Sequence, residues 1–231
     1  IASLVGSEMC IRDRGNTGNQ MGGWFNKEMN TADDYKGLKM RMPGLGGRTI
    51  GKLGATAVLM GGPDILTSLA SGAIDAAEWI CPVADLGLGM HQAAKFYYGP
   101  GWHEPSTLLD LSIDLKEWEG LDADTQALMM EMAKAFNVDV FSRFQALNGP
   151  ALGKLLNEHG VQLKTFPDEL LIALGNAAGE VMEERGSIDS QTKAICNHIL
   201  SFRKNIMDWS TKGESEFARI RNLPFKFPDS V

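Results

Sequence analysis

Apolar and basic residues alternate in Leu38-Lys39-Met40-Arg41-Met42, the period-two pattern of a half-buried strand, and Pro43-Gly44 end it. Ahead of it, Thr31 caps a short helix with acidic residues in its first turn, cut off by Gly37. Residues 46–53 read as a helix, Ala57–Met60 as a second apolar strand, and Asp64–Ser71 as a helix whose Ile65, Leu66 and Leu69 share one face. Gly72 stops that helix and Ile74–Ile80 reads as a third strand. Strand, helix, strand, helix, strand at this spacing predicts an α/β fold around an open sheet. Further along, the pattern predicts a helix over Leu86–Ala94 and strands over Phe96–Tyr98 and Leu108–Ile113. It then predicts helices over Thr125–Leu147 and Gly149–His159, the latter with Pro150 in its first turn, and a strand over Val161–Phe166. A long, interrupted helical region runs from Pro167 to about Gly213. Residues 15–115 read as an α/β region and residues 116–231 as a mainly helical one.

The chain has 231 residues and a formal charge of −7. That balance argues against nucleic-acid binding, which needs a basic stripe to displace counterions from phosphates. It leaves a small anionic ligand open, because one local arginine outweighs a distant negative background where water is excluded. No run approaches the roughly 18 apolar residues of a membrane span. Cys10, Cys81 and Cys196 are far apart and lack metal-ligand spacing. Residues 1–14 lack the basic start and apolar core of a signal peptide. They read as a non-native leader resembling translated adapter sequence, ahead of a chain that starts in the middle of a domain.

Four segments then speak together: GNTGNQMGGWF, LKMRMPGLGG, LTSLASGAIDAAEW and YYGPGWHEP, with RIRNLPFKF near the end. In order and spacing they resemble the DctP-type solute-binding proteins of tripartite ATP-independent periplasmic (TRAP) transporters, in the branch that binds 2-oxo acids and other monocarboxylates. The resemblance covers almost all of residues 15–231. It implies a two-lobe periplasmic-binding-protein fold with a long connecting helix, here without most of the first lobe. It also implies a periplasmic receptor rather than an enzyme, a ligand carboxylate held by an arginine, and a sodium or calcium ion beside it. Delivery to the transporter's membrane subunits and a homodimer exchanging a C-terminal helix complete what it implies.

The candidate residues carry chemistry of their own. Arg41 lies at a strand end, where open α/β sheets bind ligands, and its planar guanidinium matches a carboxylate. The competing reading is a solvated loop arginine. Glu78 ends an apolar run and is costly to bury without a cation, and hard cations prefer oxygen ligands. Trp79 offers a ring to the ligand and a backbone carbonyl to the ion; a strand-edge ion pair and a core tryptophan are the alternatives. Glu104, held out of helix by Pro105, is the second anionic metal ligand. Gln20 offers its amide to both ligand and metal, and Asn16 either contacts ligand or caps a turn. His103 reads as a hydrogen-bonding structural residue, since the four histidines show no metal-binding spacing. A metal-assisted hydrolase or lyase built on Glu78, Glu104 and His103 is the rival function. The glycines at 44, 46 and 47 lack a following Gly-Lys-Ser/Thr, so they are not a phosphate loop. In the tail, Leu170, Leu171, Leu174, Val181, Met182, Ile195, Ile199 and Phe202 fall on one helical side, either within the subunit or toward a partner.

Overall fold

The computed structural model describes residues 9–226, with side chains from Gly15 onward. Two compact units divide the chain, one ending at Ala178 and the other starting at Gly179.

The first unit is built on a six-stranded mixed sheet. Its strands are β2 (Gly23–Phe25), β3 (Lys39–Arg41), β4 (Thr56–Val58), β5 (Ala76–Ala77), β6 (Phe96–Gly99) and β8 (Gln162–Thr165), in the order β4-β3-β5-β2-β6-β8. β3 runs parallel to β4 and β5, and β6 parallel to β8, whereas β2 is antiparallel to both β5 and β6. A separate antiparallel pair joins β1 (Met9–Asn16) to β7 (Leu108–Asp114), with a bulge between Asp13 and Gly15. The first strand thus begins ahead of Gly15. The remainder of the expected leader, residues 1–8, lies outside the described residues.

Period-two alternation sends neighbouring aromatics to opposite faces. Trp24, Ala77 and Tyr97 join one buried cluster with Ile65 and Leu69 of α2 (Gly62–Ala70) and Leu155 of α5 (Ala123–Asn157). Phe25, Ala76 and Tyr98 join the other with Ile50 of α1 (Gly44–Lys52) and with Leu170 and Leu174 of α6 (Asp168–Gly186). Helices cover both faces, as the α/β expectation requires. Burial of Phe25 alone contributes roughly 1.5–3 kcal/mol.

Several boundaries differ from the sequence pattern. Only Ala76–Ala77 of the expected Ile74–Ile80 strand pairs in the sheet, and beyond Glu78, whose amide still donates to the Arg41 carbonyl, the Ile80 amide turns to the Asp85 carboxylate. The helix expected over Leu86–Ala94 is α3, Pro82–Leu88, started by Pro82 and ended by Gly89, whose φ of 79° favours glycine. A 3-10 turn follows at Met90–Gln92. After the short α4 (Leu115–Gly120), α5 runs unbroken for 35 residues through Pro150, where two helices were expected. Buried residues on both sides of the proline, Ala133 and Val140 before it and Ala151 and Leu155 after it, hold the helix together despite the lost backbone bond. The boundary expected at residue 115 separates nothing compact: β8 completes the sheet beside β6, and α5 packs on α3 and β1.

The second unit holds the end of α6, then α7 (Ser190–Ser210) and α8 (Glu216–Arg221), joined by a π-helical stretch at Thr211–Ser215. Asp189 caps α7 by accepting from the Thr192 amide at 2.7 Å. Leu170, Leu174 and Val181 of the expected apolar stripe are buried, whereas Ile195, Ile199 and Phe202 are exposed.

Candidate functional site

β3 and β5 are parallel neighbours with Arg41 opposite Ala77, so their carboxyl ends open at the same edge of the sheet. Arg41 closes β3, and Glu78 follows β5 directly, its amide donating to the Arg41 carbonyl at 3.2 Å. Nη1 of Arg41 donates to the Glu78 carbonyl at 3.0 Å and to its carboxylate Oε1, while Nε donates to the Met60 carbonyl at 3.4 Å. Nη2 has no hydrogen bond among the described residues. The guanidinium also lies 5.2 Å from the centre of the Trp79 ring. Glu78 is 1% exposed, so its charge has to be met by neighbours. Arg41 meets one oxygen, and His103 Nε2 lies 3.3 Å from the other.

Two loops close over this edge. The Thr17 amide donates to the Thr107 carbonyl at 3.1 Å and the Gln20 amide to the Pro105 carbonyl at 3.3 Å. The Gly101 amide donates back to the Gln20 carbonyl at 2.9 Å. A Cβ on Gly101 would sit 2.9 Å from that same carbonyl oxygen, so the close approach needs glycine. Within these loops Gln20 Nε2 donates to Thr107 Oγ1, which donates to Glu104 Oε1 at 3.4 Å. Gln20 Oε1 is buried without a partner among the described residues.

Glu78, His103 and Glu104 each present a ligand atom, all within 4.8 Å of one another. This donor set fits a cation: two carboxylates converge, one of them buried, and a free amide oxygen belongs to the loop hydrogen-bonded to Glu104 through Thr107. The structure therefore brings together Arg41, Glu78, Trp79 and Glu104, with Gln20 linked to Glu104. Asn16 is more committed: its Oδ1 accepts from the Gly18 amide at 2.7 Å and from Ser106 Oγ, as the turn-capping reading predicts, leaving only its amide nitrogen for a ligand.

His103 turns up inside the cluster as a hydrogen-bonding partner of Glu78, a contact that spacing rules for metal-binding histidines do not detect. Asp85 escaped sequence reading altogether. It is 1% exposed and accepts from Trp24 Nε1 at 2.9 Å, Tyr97 Oη at 2.8 Å and the Ile80 amide at 3.0 Å. Burial pushes its carboxyl up to about 6, against the lowering effect of those three donors. The one available signal was an aspartate four residues into a helix begun by Pro82 and buried on the apolar side.

Comparison with known proteins gives this geometry a context. The chain is 39% identical over 203 residues to a monocarboxylate 2-oxoacid-binding periplasmic protein of Nostoc sp. PCC 7120, a match covering 88% of this chain and 56% of that protein. The chain thus spans just over half of this relative. A TRAP periplasmic solute-binding protein from Pseudoalteromonas atlantica, solved with sodium and pyruvate, is 34% identical with a TM-score of 0.87, over 94% of this chain and 65% of its own. Another from Colwellia psychrerythraea, with calcium and pyruvate, is 35% identical with a TM-score of 0.86, over 91% and 64%. With residues 12–187 also matching the DctP profile, the chain belongs to the bacterial extracellular solute-binding proteins of family 7.

Proposed function

We propose that the chain is the larger part of a periplasmic TRAP receptor that binds a small monocarboxylate, a 2-oxo acid such as pyruvate, together with sodium or calcium. The observation that carries this reading is the meeting of Arg41 with Glu78 at the ends of two parallel strands, with Glu104 within reach. Relatives of similar sequence that hold pyruvate with sodium or calcium support it.

Arg41 binds the ligand carboxylate through Nη2, its Nη1 being held by Glu78. The Trp79 ring, stacked near the guanidinium, walls the ligand and keeps water from that pair. Glu78, Glu104, the Trp79 carbonyl and Gln20 Oε1 hold the cation. Bound there, sodium or calcium supplies the positive charge that two carboxylates and an incoming anion require. Gln20 also presents its amide to the ligand, and His103 holds Glu78 Oε2 in place.

The receptor does no chemistry on its ligand and passes it to the transporter's membrane subunits. It assembles as a homodimer through α7, where Ile195, Ile199, Phe202, Ile206 and Trp209 recur at alternating four- and three-residue steps and are all exposed. Calorimetric titration of the full-length protein with pyruvate tests the reading. One molecule bound per chain, recovered unchanged by mass spectrometry, is expected. Conversion of pyruvate, or no heat with either cation present, overturns it.

A further inference from the structure

Asp85 lies outside the ligand-holding set but is hydrogen-bonded to the peptide that carries the Trp79 carbonyl. Its Oδ1 accepts from the Ile80 amide, and Oδ2 is fixed by Trp24 and Tyr97, whose rings stack at 4.1 Å between centroids. Both aromatics are fully buried in the sheet, so the carboxylate is anchored to the packed core of the unit. The Ile80 N–H and the Trp79 C=O belong to one peptide group. That group is planar and trans, the cis bond among the described residues being Gly99–Pro100. A hydrogen bond that holds the N–H in place therefore aims the carbonyl at the other end, in the opposite direction. The flanking groups are pinned too: the Glu78 amide donates to the Arg41 carbonyl, and the Ile80 carbonyl accepts from the Met21 amide at 2.9 Å, next to Gln20.

We propose that Asp85 is a positioning residue for the cation site, fixing the Trp79–Ile80 peptide so that the Trp79 carbonyl is oriented and polarised as a ligand. This rests on the receptor reading above. An anionic acceptor on the N–H draws electron density toward the carbonyl oxygen of the same peptide, which strengthens it as a donor to a hard cation. The carboxylate is also the side chain that suits all three donors. An asparagine of the same shape would turn an NH2 group either toward the Ile80 N–H or toward Trp24 and Tyr97 together, and the indole and backbone N–H groups cannot accept from it.

The test measures calcium affinity of the full-length protein at saturating pyruvate. Asp85→Asn should weaken calcium at least about tenfold, the range for residues that orient metal ligands. Leu155→Val, which loosens the same buried cluster without touching Ile80, should stay within about twofold of wild type, as a volume change remote from the ligands would. Equal affinity for Asp85→Asn and wild type, or equal loss in both variants, overturns the proposal. If Asp85→Asn does not fold, the Ile80 amide resonance of isotope-labelled wild type gives the answer. It should shift on adding calcium, and an unmoved resonance at saturation overturns the proposal. A wild type that binds neither calcium nor pyruvate sinks the receptor reading itself, an outcome separate from these.

Discussion

Arg41 reaches Glu78 twice through a single nitrogen: Nη1 donates to the backbone carbonyl and to the side-chain carboxylate of the same residue. The two contacts orient the guanidinium plane before any ligand arrives and leave Nη2 to meet one. They also make the pair a structural element, since each charge is buried largely against the other.

Replacing Arg41 by Met should therefore act on both stability and binding. Leaving the Glu78 charge buried without its main partner should cost about 3 kcal/mol in urea unfolding. The double variant Arg41→Met, Glu78→Gln should recover part of that loss, while pyruvate affinity stays at least about 30-fold down in both. Unfolding curves for the single and double variants that coincide would show that the pair carries no such strain.

Gly101 links the two loops by its closeness to Gln20. Gly101→Ala should push the Gln20 backbone aside, costing about 1–3 kcal/mol and weakening cation binding through the displaced amide. Thermal unfolding with and without calcium checks this: the calcium-induced rise in Tm should shrink in the variant.

The Asp85 carboxyl makes stability depend on pH. Burial pushes it up to about 6 from 3.8, so the folded protein holds this proton more tightly than the unfolded chain. Its contribution is full below about pH 3.8 and is lost as pH rises through about 6, a span of up to about 3 kcal/mol. Wild type minus Asp85→Asn, measured by urea unfolding between pH 4 and 7.5, should fall as pH rises. A flat difference would mean that Asp85 titrates alike in both states.

The exposed stripe on α7 predicts self-association. Sedimentation of the full-length protein should give a dimer, and Ile199→Glu with Phe202→Glu should give a monomer that still binds pyruvate. A wild-type monomer at all concentrations would contradict the dimer.

Local pattern made much of the sheet legible. Leu38–Met42 alternates, and Gly72 falls just past the end of α2, where the pattern puts the stop. Arg41, Glu78 and Glu104 became candidates through the family resemblance, since strand ends and a proline-held turn by themselves left a solvated arginine and a strand-edge ion pair open. Two kinds of feature were not legible. Long-range packing overrides local signals, as where α5 continues through Pro150 because buried residues on either side hold it. Partnerships across the fold are invisible along the chain as well. Asp85 stands 61 residues from Trp24 and His103 stands 25 from Glu78, and each pair meets only once the strands are in register. In the tail, one stripe of apolar residues splits into a buried and an exposed part, which periodicity cannot distinguish because it reports a face and not what covers it.

The claim on which the account turns is that cation and carboxylate are bound by one cluster of charges. The ligand, Glu78 and Glu104 bring three negative charges against the single positive charge of Arg41. Each binding partner should thus raise the affinity for the other. Pyruvate titrated calorimetrically into metal-stripped full-length protein, then again with calcium or sodium added, measures that coupling. The account predicts at least about tenfold tighter binding with the cation present, a coupling of roughly 1.4 kcal/mol. Identical dissociation constants in the two titrations would contradict it.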